Sequence, residues 1–361
     1  MLINNQNYIT IWYDKKDDTI KVIDQNHLPF KLKIISLNNL NDVVKAIKLM
    51  KVRGAPLIGA TAAFGLYLAF KEKKTKESLI EAYRKLKNTR PTAINLFWAL
   101  DRVLSKINLT KISSDTEELL LNEALKICKE DIENCKKIAR NGYKIIKEIM
   151  KKNKKNKINI LTHCNAGWLA TIDWGTATSP IYYAKKKEID LHVWVDETRP
   201  RNQGALLTSF ELNNEGISNT IIVDNAGGFL MKNGQVDLCL VGADRVTKTG
   251  HVANKIGTYL KALAAKDNNI PFYVAIPTSS IDWKIRNYED ITIEERDQNE
   301  LYNIRGLSSK NKIVEVQIFP KENKIYNPSF DITPNSFITG IITEKKIVKA
   351  NEKDLKTLKN D

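Results

Sequence analysis

The stretch INILTHCNAGWLATIDWGTA, residues 158–177, changes character partway along its length. Ile158, Ile160 and Leu161 form a short apolar run of the kind a buried strand requires. Thr162-His163-Cys164-Asn165 then places polar and reactive groups where that strand should end. Gly167 permits tight backbone geometry, and Gly175-Thr176 lead into a helix-compatible run. A strand, a polar turn and a helix in that order is how an α/β protein builds a site at a strand's carboxyl edge.

Further along, the same layout repeats. Strands are expected at Leu191 to Val195, Thr220 to Val223, Leu238 to Val241 and Phe272 to Ile276, with helical stretches between them, notably Gly204 to Leu212 and Asn254 to Ala265. Alternation of this kind predicts a Rossmann-like α/β domain, a parallel sheet covered on both faces. Each strand ends in polar residues: His163-Cys164-Asn165, Asp196-Glu197-Thr198-Arg199, Asp224-Asn225 and Gly242-Ala243-Asp244-Arg245. Parallel strands point these ends the same way, so one thiol, several carboxylates and helix N-termini converge on one crevice. No GxGxxG follows any strand, so a dinucleotide cofactor is not indicated, and the four His are too scattered to suggest zinc.

Each of these residues also has a plain structural reading. A lone Cys at a strand end is often inert packing, Asp224 and Asp244 suit helix or loop caps, and Glu197 with Arg199 suits an ion pair. Trp168 and Trp174 suit a core as well as a substrate wall.

Upstream, residues 1 to about 35 alternate apolar and polar side chains (Ile9, Ile11, Tyr13; Ile20, Val22) around Asp-rich turns, which predicts a small antiparallel sheet or hairpin. From Asn38 the period lengthens, and Val43, Val44, Ile47 and Met50 fit one helix face. Arg53-Gly54-Ala55-Pro56 follows, with Pro56 suited to a first helical turn. Arg53 and Gly54 would stand just outside that helix start, where free N–H groups and the positive dipole end favour a phosphate. Arg90-Pro91 ahead of Ala93 to Trp98 repeats the design. A long amphipathic helix is expected from Thr116 to Met150, and the polar run Lys151 to Lys157 marks the boundary between domains at 1–150 and 151–361. The first is expected to be a small β-plus-helical domain.

The chain has 361 residues, 42% of them hydrophobic and 27% charged, which suits a globular protein with two domains. Its net charge of +15 raises the question of nucleic acid or an acidic membrane surface. The basic residues are mostly Lys spread over helical stretches, with no RNP-type, zinc-finger or basic-zipper pattern, so neither partner is expected. The uncharged run between Arg53 and Lys71 falls short of the roughly 18 residues of a membrane span and reads as a buried helix. Cys128, Cys135, Cys164 and Cys239 form no CxxC pair and no signal peptide is apparent, so a reduced, cytoplasmic setting is expected.

Nine motifs occur in order: RGAP, TRPTAINL, HCNAG with a following GTA, ETRPRNQGALLT, DNAGG, VGADR, NKIGTYLKALAA, IEER and NPSFDITP. Together they resemble the methylthioribose-1-phosphate isomerase family, in the superfamily that also holds exchange-factor regulatory subunits and ribose-1,5-bisphosphate isomerase. The resemblance spans about residues 40 to 345. It implies an aldose–ketose isomerase with Cys164 and Asp244 as the catalytic pair. It also implies substrate binding by Arg53, Gly54, Ala55, Arg90, Gln203, Asn254 and Lys255, without metal or cofactor. A small sugar phosphate as partner, a homodimer, and a role in methionine salvage or 5-deoxyribose disposal are implied in the same way. Asn254-Lys255 is expected at a helix start. The loop AGWLATIDWGTATSPI departs from the common family form and, with VWVDETRPRNQG and DNAGG, looks like a subgroup acting on 5-deoxyribose 1-phosphate. A Trp at 168 or 174 would then either shorten the C5 pocket or pack behind its wall. Two alternatives stand beside this reading: a ribose-1,5-bisphosphate isomerase and a regulatory subunit without catalysis.

Overall fold

The computed structural model describes residues 1–90, 93–110 and 112–359. The alternating residues at the start of the chain pair as antiparallel strands. β1 (Leu2–Ile3) and β2 (Gln6–Asn7) make a hairpin, and β3 (Ile11–Asp14), β4 (Thr19–Ile23) and β5 (Ile34–Leu37) make a three-stranded sheet. Ile11 lies opposite Val22 and Ile20 opposite Leu37, so these four buried side chains share a face. They cover a helical layer of α1 (Leu40–Lys48), α2 (Ala55–Lys73), α3 (Lys76–Lys87), α4 (Ile94–Ser105) and α5 (Thr116–Asn153). The other four helices surround α2, which explains why it is apolar on every side. Among the described residues no helix is long and apolar enough to cross a membrane.

The 38 residues of α5 span about 57 Å at the usual rise. Leu120, Ala124, Ile127 and Cys128 pack into the core around α2, while Ile138, Ile145 and Ile146 pack into the core of the large sheet. One helix thus serves both cores. Cys128 and Cys135 are both buried along it.

Downstream, β6 (Lys157–Thr162), α6 (Ser179–Lys186), β7 (Asp190–Asp196), α7 (Ser209–Asn214), β8 (Asn219–Ile222), α8 (Ala226–Lys232) and β9 (Leu238–Val241) alternate strand and helix. Then β10 (Arg245–Thr247) and β11 (Val252–Lys255) form a hairpin ahead of α9 (Thr258–Asp267), β12 (Phe272–Ala275) and β13 (Ile281–Asp282). The short α10 (Asn299–Tyr302) leads to a second hairpin of β14 (Asn303–Leu307) and β15 (Ile313–Gln317). β16 (Phe330–Thr333), β17 (Gly340–Ile342), β18 (Ile347–Val348) and α11 (Glu352–Lys356) follow.

The large sheet runs β18-β17-β12-β9-β6-β7-β8, parallel except for β18. All five strands expected from the sequence lie in it. The chain builds outward from β6 through β7 to β8, then crosses back to β9 and on to β12. The order therefore reverses between β6 and β9, which is where ligands bind in such sheets. Cys164 follows β6 and Asp244 follows β9. A second sheet, β13-β10-β11-β16, stands beyond this crevice.

One element differs from its sequence reading. Asn254-Lys255 does not start a helix: both residues end β11, paired opposite Asp331 and Phe330 of β16. Gly257, at φ +102°, blocks an earlier helix start, and a Cβ there would lie 3.0 Å from His163 Cε1. α9 begins only at Thr258, whose Oγ1 accepts a hydrogen bond from Asn254 Nδ2 at 3.0 Å.

Candidate active site

A cavity of about 40 Å³ sits at the reversal point, lined by Arg53, Gly54, Ala55, Cys164, Asp244 and Asn254, among others. Six of the nine expected site residues therefore meet in one small space. Gln203 reaches it through Cys164, whose Sγ donates to Gln203 Oε1 at 3.1 Å. Arg90 and Lys255 line an adjoining cleft that also holds Gln203.

Cys164 is held in an unusual conformation. Its φ of +64° lies in the left-handed region, which costs a non-glycine residue roughly 1–3 kcal/mol. Hydrogen bonds on both sides fix it there: its N–H donates to Thr198 Oγ1 (2.8 Å), and its C=O accepts from Thr208 Oγ1 (2.7 Å). The turn at Thr198 is capped in its own right, since Asp224 accepts the backbone N–H groups of Thr198 and Arg199. Asp224 is thus a loop cap, whereas Asp244 lines the cavity. The Arg199 guanidinium donates to the carbonyls of Pro200 and Leu301.

Burial pushes the Cys164 thiol above its ordinary value, against the opposing pull of Arg53 and Lys255. Burial likewise raises the Asp244 carboxyl, opposed by Lys255, Arg90 and Arg53. The ammonium of Lys255 is lowered by the same desolvation. Arg53, Arg90 and Lys255 thus act on two acids whose charged forms burial disfavours, a setting in which acid–base sites are found.

Arg53 and Gly54 stand just ahead of α2, with Pro56 in its first turn. Gly54 has φ +90°, and a Cβ there would lie 2.4 Å from the Ala170 carbonyl oxygen, so no other residue brings the helix start this close. The buried Arg53 guanidinium donates to Asn165 Oδ1 and, at 2.8 Å, to Asn165 O, while its Nε has no partner among the described residues. Asn165 is steadied in turn by Thr208 and the buried Glu211 carboxylate. Arg90 is buried and donates through Nε to Glu294 Oε2 at 3.2 Å. Pro91, expected to begin the next helix, lies outside the described residues, and α4 opens at Ile94.

His163 lies behind Cys164, between Asp196 (Nδ1 to Oδ2, 2.8 Å) and the Ile256 carbonyl (Nε2 to O, 2.8 Å). His163, Asp196 and Asp224 bring ligand atoms within 4.8 Å of one another, a grouping that the scattered His of the sequence did not suggest. Lys261 already supplies a cation there, 3.2 Å from Asp196 Oδ2 and bonded to the Asp224 carbonyl. Trp168 is fully buried in the sheet core and Trp174 is half-buried against it; neither lines the cavity.

Sequence reasoning assigned no role to Thr198, Thr208, Glu211, Glu294 or Ser329. Thr198 and Thr208 fall inside the quoted motif ETRPRNQGALLT, and Glu294 and Ser329 inside IEER and NPSFDITP. Thr208, Glu294 and Ser329 carried only their membership of an ordered motif, Thr198 also stood at a strand end, and Glu211 carried neither signal.

Comparison with known proteins identifies the family of the chain. The signature of the Initiation factor 2 subunit family matches residues 51–350. A methylthioribose-1-phosphate isomerase of Methylorubrum extorquens is 50% identical over 356 residues, 98% of this chain and 97% of its own. The crystal structure of 5-methylthioribose 1-phosphate isomerase from Pyrococcus horikoshii OT3 superposes with a TM-score of 0.81 at 39% identity, covering 98% of this chain and 96% of that one. The translation initiation factor eIF-2B delta subunit from A. fulgidus superposes with a TM-score of 0.76 at 40% identity, over 95% and 96%. Nearly full-length identity on both sides, over a fold whose reversal point carries the family's motifs, means that this chain belongs to the Initiation factor 2 subunit family and, within it, to the methylthioribose-1-phosphate isomerase family.

Proposed function

We propose that this chain isomerises 5-substituted ribose 1-phosphates to the corresponding ribulose 1-phosphates, with methylthioribose 1-phosphate as principal substrate and 5-deoxyribose 1-phosphate also accepted. The observation that carries this reading is the shared cavity of Cys164 and Asp244, closed on one side by the Arg53-Gly54-Ala55 helix start. A 1-phosphate blocks the anomeric oxygen, so the ring opens only if its oxygen is protonated as the C1–O bond breaks. Asp244, whose carboxyl burial raises toward the protonated form, is the acid for that step. Arg53, the N–H groups at the start of α2, Arg90 and Lys255 hold the phosphate, and Gln203 and Asn254 hold the sugar.

Hydrogen must then pass from C2 to C1. Burial disfavours the thiolate that would serve as a base at C2, so we take the route to be a direct hydride shift. In that route a proton leaves the C2 hydroxyl as the carbonyl forms, which balances the proton given to the ring oxygen. Cys164, with its S–H directed at Gln203, borders the path and keeps water from it.

Past Gln203 and Arg53 the site opens into a vestibule of about 750 Å³, which has room for a C5 substituent. The same vestibule is lined by Lys48, Lys51, Arg201, Arg296 and Arg305, beside the carboxylates of Asp24, Asp297, Glu300 and Glu315. That lining favours a second reading, ribose 1,5-bisphosphate as substrate, with the outer phosphate in the vestibule. A purely regulatory subunit has no need of the acid and thiol that meet here.

We also propose a cytoplasmic homodimer. Cys128, Cys135, Cys164 and Cys239 are all free thiols, which suits a reducing compartment. Phe229 of α8 is 67% exposed, and Leu260 and Leu263 of α9 are 55% and 42% exposed, on two helices that pack side by side. An apolar surface of that kind suits a second copy of the chain.

A proton and phosphorus NMR time course in D₂O, with each of the three sugar phosphates in a separate tube, tests the activity. Ketose 1-phosphate from the methylthio and deoxy substrates, without solvent deuterium at C1, is expected. Turnover of the bisphosphate alone would establish the second reading, and deuterium at C1 would replace the hydride shift by an enediol.

A further inference from the structure

Between the vestibule and the catalytic cavity lies a narrow cleft of about 10 Å³, lined by Met50, Arg90, Arg201, Gln203, Lys255, Arg296, Glu300 and Ser329, among others. Gln203 and Arg296 also line the vestibule, and Gln203 touches Cys164, so the cleft lies on the path between them. Its lining holds five cationic side chains, counting Arg199, against the single carboxylate of Glu300. Arg90 is bound by Glu294, and Arg201 and Arg296 are bound by Glu300. Lys255 is different: its ammonium lies 5.0 Å above the Phe330 ring and, among the described residues, forms no ion pair.

Ser329 stands beside these cations. Its backbone is fully engaged, the N–H donating to Glu294 O at 2.9 Å and the C=O accepting from Ile256 N at 3.0 Å. These two bonds fix the residue between the strand segment that carries Glu294 and the residue that follows Lys255. Ser329 is 1% exposed, and among the described residues its hydroxyl has no partner. A buried hydroxyl normally has one, because leaving it unmet costs roughly 1–3 kcal/mol. The cleft it lines is rich in cations, which donate and do not accept, while Glu300 is engaged by Arg201 and Arg296 and Gln203 Oε1 by Cys164. What completes the set is an anionic acceptor large enough to meet an O–H and an ammonium together.

We infer that Ser329 is a further substrate-binding residue, whose hydroxyl donates to a phosphoryl oxygen of the sugar phosphate beside Lys255 and Arg90. The inference rests on the sugar-phosphate reading above and adds to it a neutral donor that fixes the phosphate's orientation, where the cations supply charge. Ser329→Ala removes the donor and nothing else that the fold uses, so its melting temperature should match the wild type.

The test measures two quantities on Ser329→Ala and wild-type protein: KM for methylthioribose 1-phosphate, and the dissociation constant of inorganic phosphate by phosphorus NMR titration. Loss of a hydrogen bond to a charged group predicts that both rise about tenfold or more, with kcat within about threefold. Unchanged phosphate affinity overturns the inference, even if KM moves. So does a loss of affinity that comes with a lowered melting temperature, which is what a structural hydroxyl would give. The phosphate titration does not need turnover. Wild-type protein that binds phosphate in a Ser329-dependent way but converts no sugar phosphate would therefore sink the isomerase reading and leave this contact standing.

Discussion

Cys164 sits in a backbone conformation it would not choose, and the residues that hold it there are threonines rather than other catalytic groups. Thr198 Oγ1 takes the Cys164 N–H and donates to the Asp196 carbonyl at 3.0 Å. Thr198→Val keeps the shape but leaves that N–H buried and unmet, so Cys164 should relax out of position. We expect kcat to fall on the order of tenfold with KM little changed; a folded variant with unaltered kcat would show that the strain has no function. The candidate acid and thiol were legible in the sequence because each directly follows an apolar strand. Thr198, Glu294 and Ser329 were not, since their roles depend on partners tens to hundreds of residues away.

Among the elements, the five parallel strands were easy to read because each is a short apolar run closed by polar residues. β11 was harder. Its Asn254 and Lys255 look like the start of the helix that follows, and only pairing with β16, some 75 residues on, makes them strand. Helix α5 carries a group no strand pattern reveals, Asp131, which accepts from Ile172 N at 2.9 Å and so ties the helix to the loop beyond Cys164. Burial raises its carboxyl to about 7. In the unfolded chain it titrates near 3.9. The folded state therefore holds a proton that the unfolded state gives up as pH rises, and the group's stabilisation, complete below about pH 4, is lost by about pH 7. Asp131→Asn keeps the acceptor without the charge. It should raise the melting temperature at pH 8 and leave it unchanged at pH 3.5. An equal effect at both pH values would contradict this account.

At the scale of the whole molecule, the family resemblance and the fold agree. The apolar faces of α8 and α9 lie apart from the catalytic cavity, so Phe229→Glu should convert a two-chain particle to single chains in light scattering. Turnover by the remaining chains would show whether assembly is needed for activity. An unchanged mass, at either two chains or one, would remove this patch as the dimer contact. The central claim is that Asp244 and Cys164 together isomerise a sugar 1-phosphate. Its most direct test is phosphorus NMR of wild-type, Asp244→Asn and Cys164→Ser proteins, each incubated with methylthioribose 1-phosphate after circular dichroism has confirmed the fold. Wild-type protein should yield the ketose 1-phosphate, Asp244→Asn should be slower by about 10²- to 10⁴-fold, the range for losing a positioned acid, and Cys164→Ser should also be slowed. A variant that runs at near-normal rate would strip that residue of its role, and a wild-type protein that leaves the sugar phosphate untouched would contradict the account as a whole.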